Sequence, residues 1–147
     1  MEELHNLQSD DIVRIEGREF KVLGRVGFVT MERDGYYEKV FMTNDAVLIV
    51  SDDGVELGFD KGEIAEFNDL ADVVEYAGVT YKLDEKDYQL VKEVFSGDAR
   101  ELEGECWFWN YVADDGGVVS VGKLSFDERR ADVVSRAINV DEIIINE

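Results

Sequence analysis

Proline is missing from all 147 residues, where average usage would supply about 7. Every turn must then be made by Gly, Asp, Asn or Ser, and 13 glycines are there to make them. Cysteine is nearly missing too. Cys106 stands alone, so no intrachain disulfide can form, which points to a reducing compartment and predicts a cytoplasmic protein. The one histidine, His5, sits in a stretch without pattern. An exposed histidine lacking partners is a poor general base or metal ligand. Long hydrophobic runs are absent: Ala46-Val47-Leu48-Ile49-Val50 is far short of the ~20 residues that span a bilayer, so membrane insertion is not expected. The opening MEELHNLQSD is acidic and polar, unlike the basic and apolar start of a signal peptide. Positive charge is scarce, with 15 Lys and Arg against 35 Asp and Glu, a net charge of −20. Such a surface repels phosphate backbones and anionic lipid, which makes nucleic acid and bare membrane poor partners. Solubility, a salt-rich cytoplasm and a partner with a basic surface each suit it.

What is present is a β-protein. A 45% hydrophobic content in a chain of this length fits one globular domain. Val13 to Val22 reads as strand, glycine turn and strand, and Val74 to Leu83 repeats it. Gly17 and Gly78 lie 61 residues apart. Asp34-Gly35 and Ser96-Gly97, and likewise Asp52-Asp53-Gly54 and Asp114-Asp115-Gly116, lie 62 apart. Three turns in step predict one β-meander used twice. The expected fold is all-β, with two similar halves packed as a pseudo-two-fold barrel or sandwich and at most one short helix. Residues 1–10 read as a loose lead-in, the repeats cover about 12–66 and 73–128, and 129–147 forms a closing segment. Gly24 and Gly27, flanking Val26, hint at a bulge or a close backbone approach. Residues 60–71 fit either a short helix with Ile64, Phe67 and Leu70 on one side or a final strand plus linker. Residues 87–95, ambiguous alone, read as strand because they align with the strand at 25–34. The apolar run 46–50 suits a strand covered on both faces.

Chemistry is sparse. No Walker loop, dinucleotide fingerprint or paired Cys motif occurs, and nothing supplies a nucleophile–base pair, so catalysis, cofactor and metal are not expected. Cys106 lies amid aromatics with no basic neighbour and reads as packing. The two Asp-Asp-Gly turns lack the alternating oxygen ligands of a calcium loop and read as solvated hairpin tips. Two features stand out as weak ligand-binding candidates. If Tyr36, Val40 and Met42 face the core, Glu38 faces it with them and needs a partner such as Arg25; if Tyr37 and Phe41 face it, Glu38 stands in water. In the strand Cys106 to Val112, Trp107, Trp109 and Tyr111 share one face while Cys106, Phe108 and Val112 share the other. That makes a central strand covered by two layers, or, with one face open, an aromatic platform.

The apolar-Gly-aromatic hairpin leading into Val22-Leu23-Gly24, the Tyr37-Glu38 step, the stretch Tyr76 to Leu83, the aromatic strand ending Asn110-Tyr111 and the Ile-rich C-terminal strand form one pattern. It resembles the bacterial and archaeal family known as domain of unknown function 4178, from about residue 9 to residue 145. This chain departs at Tyr37, where the family more often has Trp, and in its acidity. The resemblance implies an accessory or protein-interaction role, because members often lie near membrane-stress and membrane-protein genes. It carries over no catalytic residue. A protein-interaction module is therefore the first functional expectation. A small-ligand or metal-binding barrel, with a pocket near Glu38 and the aromatic strand, is the second.

Overall fold

The computed structural model describes residues 2–33, 35–64, 67–68, 71–97, 104–124 and 129–146. Its strands are β1 (Ile12–Ile15), β2 (Arg18–Thr30), β3 (Tyr36–Met42), β4 (Ala46–Ser51), β5 (Gly54–Asp60), β6 (Val73–Tyr76), β7 (Val79–Ser96), β8 (Cys106–Val112), β9 (Val118–Leu124), β10 (Arg130–Ile138) and β11 (Ile143–Ile145). Among the described residues, helix is confined to two short 3-10 turns, Glu2–Asn6 and Val140–Glu142. No described helix is long and apolar enough to cross a membrane.

All strand pairs are antiparallel, in the order β11-β1-β2-β3-β4-β5-β10-β9-β8-β7-β6. A further pairing of β2 with β7 closes eight of them, β2-β3-β4-β5-β10-β9-β8-β7, into a barrel. The two longest strands make this closure. The start of β2 pairs with β1, and its end, Arg25 to Thr30, pairs with Gln89 to Ser96 of β7. The start of β7 pairs with β6. Closure removes the open edges of the eight barrel strands and leaves β11 and β6, with one neighbour each, as the edge strands.

The repeated hairpin is built the same way both times. Glu16 and Gly17 take φ of 52° and 79°, and Ala77 and Gly78 take 51° and 78°. Positive φ at both central residues matches the right-handed strand twist, and glycine at the second position makes it cheap. The register of β2 shifts between Val22 and Gly24 and again between Gly27 and Phe28, where the glycines hinted at a bulge.

Two clusters of apolar residues sit on the outer side of the barrel wall. Val40, Met42, Leu48, Val50 and Leu57 of one half pack beneath β1, β11 and the N-terminal 3-10 turn. Trp109, Tyr111, Val119 and Val121 of the other pack with Val74 of β6 and with Phe67. The wall is therefore covered outside and closed on itself inside, which is why β4 reads as an unbroken apolar run.

Two expectations need correction. The lead-in is not loose: Leu4 and Leu7 are buried in the first cluster, and His5, expected to lack partners, is bonded to Glu38. Two leucines this far inside outweigh the polar residues around them. The segment 129–147 does more than close the end, since β10 is a barrel strand seated between β5 and β9. The helix weighed for 60–71 falls partly outside the described residues; Gly62, Glu63, Ile64, Phe67 and Asn68 lie in neither helix nor strand.

Candidate functional site

Strand alternation turns one face of every barrel strand into the lumen, where a cavity of about 310 Å³ lies. Its mouth is at the end formed by the β2–β3, β4–β5 and β8–β9 hairpins, with Arg33, Ser51, Asp53, Glu85 and Asn110 around it. Deeper, Tyr37, Lys39 and Glu56 face Phe108, Ser120 and Ser135. At the far end the residues are small: Val47, Cys106, Gly122, Ala131 and Val133. Gly58 closes in there, since a Cβ on it would lie 2.7 Å from Val133 Cγ1. The lumen is open and polar at one end, narrow and apolar at the other.

Hydrogen bonds hold the polar lining in place. The Tyr37 hydroxyl donates to Gln89 Oε1 at 2.6 Å, and Gln89 Nε2 donates to the Gly104 carbonyl at 2.8 Å. Ser135 Oγ donates to Glu56 Oε1 at 3.1 Å. Arg33 Nη1 stands 3.4 Å from Glu85 Oε2. Burial nevertheless pushes the Glu85 carboxyl above its usual range, with Asp87 and Asp84 adding to the rise, while Arg33 and a hydrogen bond with Asn110 oppose it. Asp87 pairs with Phe108 across the β7–β8 ladder, so its side chain points to the same inner face. It is completely buried. Its Oδ1 accepts from the Glu32 and Tyr88 amides at 2.9 and 2.8 Å, and its Oδ2 has no partner. An orphaned buried oxygen of this kind costs about 1–3 kcal/mol.

Glu38 lies on the outer side of the same wall. It is buried with Val40 and Met42, and Arg25 Nη1 meets its Oε1 at 2.5 Å. His5 Nδ1 and the Tyr36 hydroxyl reach its Oε2 at 2.7 and 3.0 Å. Arg25 also donates from Nε to the Leu7 carbonyl at 2.9 Å and lies over the Phe95 ring. This knot fastens the N-terminal segment to the barrel. Burial and the neighbouring carboxylate push the Tyr36 phenol up to about 12.

The five residues singled out by sequence are thus dispersed. Tyr37 lines the lumen and stacks on Phe28. Glu38 is in the outer knot. Trp109 and Tyr111 are buried in the second cluster, with the Tyr111 hydroxyl bonded to the Ala71 carbonyl at 2.8 Å. Trp107 is 41% exposed, edge-on to Tyr88. Sequence reasoning passed over Glu56, Glu85, Gln89, Asn110 and Ser120. A signal existed: Asn110 interrupts the aromatic run of β8 and Ser120 the valines of β9, and each is the other's cross-strand partner.

With this geometry in place, the comparisons give one result. The family described as Domain of unknown function (DUF4178) matches residues 8–134, and its span takes in β1 to β9 and most of the described lumen lining. The chain belongs to the DUF4178 family. No curated protein and no solved structure matches it. In this DUF4178 chain no described group of three or more His, Cys, Asp or Glu side chains could hold a metal ion. A second hollow, of about 490 Å³, lies outside the barrel among Asn44, Phe59, Lys61 and Arg130.

Proposed function

We propose that this DUF4178 protein binds a small polar metabolite inside the barrel lumen. The observation that carries this reading is the lining itself. A core wanted only for packing would be apolar, yet the upper lumen holds Tyr37, Glu56, Glu85, Asn110, Ser120 and Ser135 around open space. About 310 Å³ is at the small end of ligand pockets, which favours a metabolite of few heavy atoms. The closed, narrow floor and the held rotamers of Tyr37 and Gln89 make the chamber a pre-formed receptor. A thermal-shift panel of small polar metabolites on the native protein and on Ser120→Leu tests it. A compound that raises the midpoint of the native protein and not of the variant supports the reading. A panel with no stabilising compound, or one whose hits act equally on both proteins, contradicts it.

A second reading, a protein-interaction module, is favoured by Trp107. A half-exposed tryptophan beside Tyr88, with Lys86 over its ring, is the amphipathic kind of anchor that interfaces use. Crosslinking of the native protein against Trp107→Ser separates this role from lumen binding, because Trp107 does not touch the lumen.

A further inference from the structure

The lumen reading can be taken one step further, to the charge of its ligand, and this step rests on that reading. Three carboxylates face the upper lumen or its mouth, Glu85 from β7, Glu56 from β5 and Asp53 from the β4–β5 turn. A fourth, Asp87, lies on the inner face of β7 beside Phe108, wholly buried, with one oxygen unpartnered. The cations nearby are Arg33, mostly in solvent and paired with Glu85, and Lys39, whose ammonium lies near the Phe28 and Tyr37 rings. The balance at this end is negative. Phe108 and Tyr37 supply aromatic walls of the sort that accept an ammonium. The whole chain, at −20, draws cations toward the mouth.

We infer that the lumen is a binding site for a small organic ammonium, a primary amine or short diamine, held by Glu85 and Glu56 with its carbon chain against Phe108. An anion would meet three carboxylates against two cations, one of them, Arg33, already paired with Glu85. A neutral polyol can donate hydrogen bonds to Glu85 and Glu56 but brings no charge to offset theirs. An ammonium brings both, a positive charge and up to three donors.

Isothermal titration calorimetry with putrescine (1,4-diaminobutane) and 1,4-butanediol tests the inference, at 0.15 M KCl to suppress loose ion-atmosphere binding. The proteins are the native chain, Glu56→Gln, Glu85→Gln and the outer-surface control Glu75→Gln, which changes net charge by the same one unit far from the lumen. The expected result is saturable one-site binding of putrescine, no binding of the diol, a loss of about tenfold in either lumen variant and no change in the control. Two lumen variants guard against one that misfolds. Diol binding as tight as putrescine overturns the ammonium claim while leaving the lumen a ligand site. Equal weakening in all three variants means surface charge alone and overturns it as well. Absence of binding by either compound also overturns it, and the metabolite panel above then decides the fate of the lumen reading separately.

Discussion

Residue by residue, the most consequential side chain is one that the sequence brought into view without fixing its surroundings. Alternation allowed Glu38 to be buried or wet, and only the fold decides, by placing Arg25 on the neighbouring strand and His5 above it. Removing the carboxylate leaves the Arg25 guanidinium, only 8% exposed, without its partner. Glu38→Ala should therefore destabilise the protein by about 3 kcal/mol in urea unfolding, and Glu38→Ala with Arg25→Met should recover much of that. The phenol beside it gives a pH signature. Tyr36 is raised from 10.0 to about 12 in the folded state, so its contribution to stability is complete below pH 10 and lost as pH climbs from 10 to 12. Absorbance at 295 nm should show Tyr36 titrating near 12, alongside Tyr81 and Tyr111, which burial also raises, and Glu38→Gln should bring the Tyr36 component down. The tryptophans split in the same way. Trp109 is 2% exposed and Trp107 41%, so acrylamide should quench one class of emission and spare a blue one, and Trp107→Phe should remove the quenchable class.

The elements were the more readable level. Strands, the glycine turns and the repeated hairpin follow from alternation and from positive φ, all local physics. What could not be read was where the strands go. β2 and β7 each serve two partners along their length, and nothing in a strand's own pattern says that its second half will seal a ring. The lead-in was missed for a related reason: Leu4 and Leu7 have no periodic neighbours, and a short 3-10 turn has too few residues to declare itself. The lumen lining was missed because polar residues on an inward face look like polar residues on an outward one until the barrel closes. A tight point tests the packing of the floor. Gly58→Ala places a methyl 2.7 Å from Val133 Cγ1 across the β5–β10 pair, which should cost about 1–3 kcal/mol, and Val133→Ala in the same chain should restore most of it.

Over the whole molecule, the barrel is held from outside by two apolar clusters while its interior stays partly polar. That arrangement is the reverse of a barrel filled with aliphatic side chains, and the proposal of lumen binding rests on it. The net charge of −20 acts on the same scale. Self-repulsion reaches about 30 Å at 0.01 M salt and only about 3 Å at 1 M, so the thermal midpoint should rise as KCl is added across that range. The most direct test of lumen binding is a ¹⁵N–¹H map recorded while a stabilising metabolite is titrated in. The side-chain amides of Asn110 and Gln89 should move together and saturate, while the Trp107 indole stays still. Movement of the Trp107 indole with Asn110 and Gln89 unshifted would place the ligand on the outer wall and contradict the account.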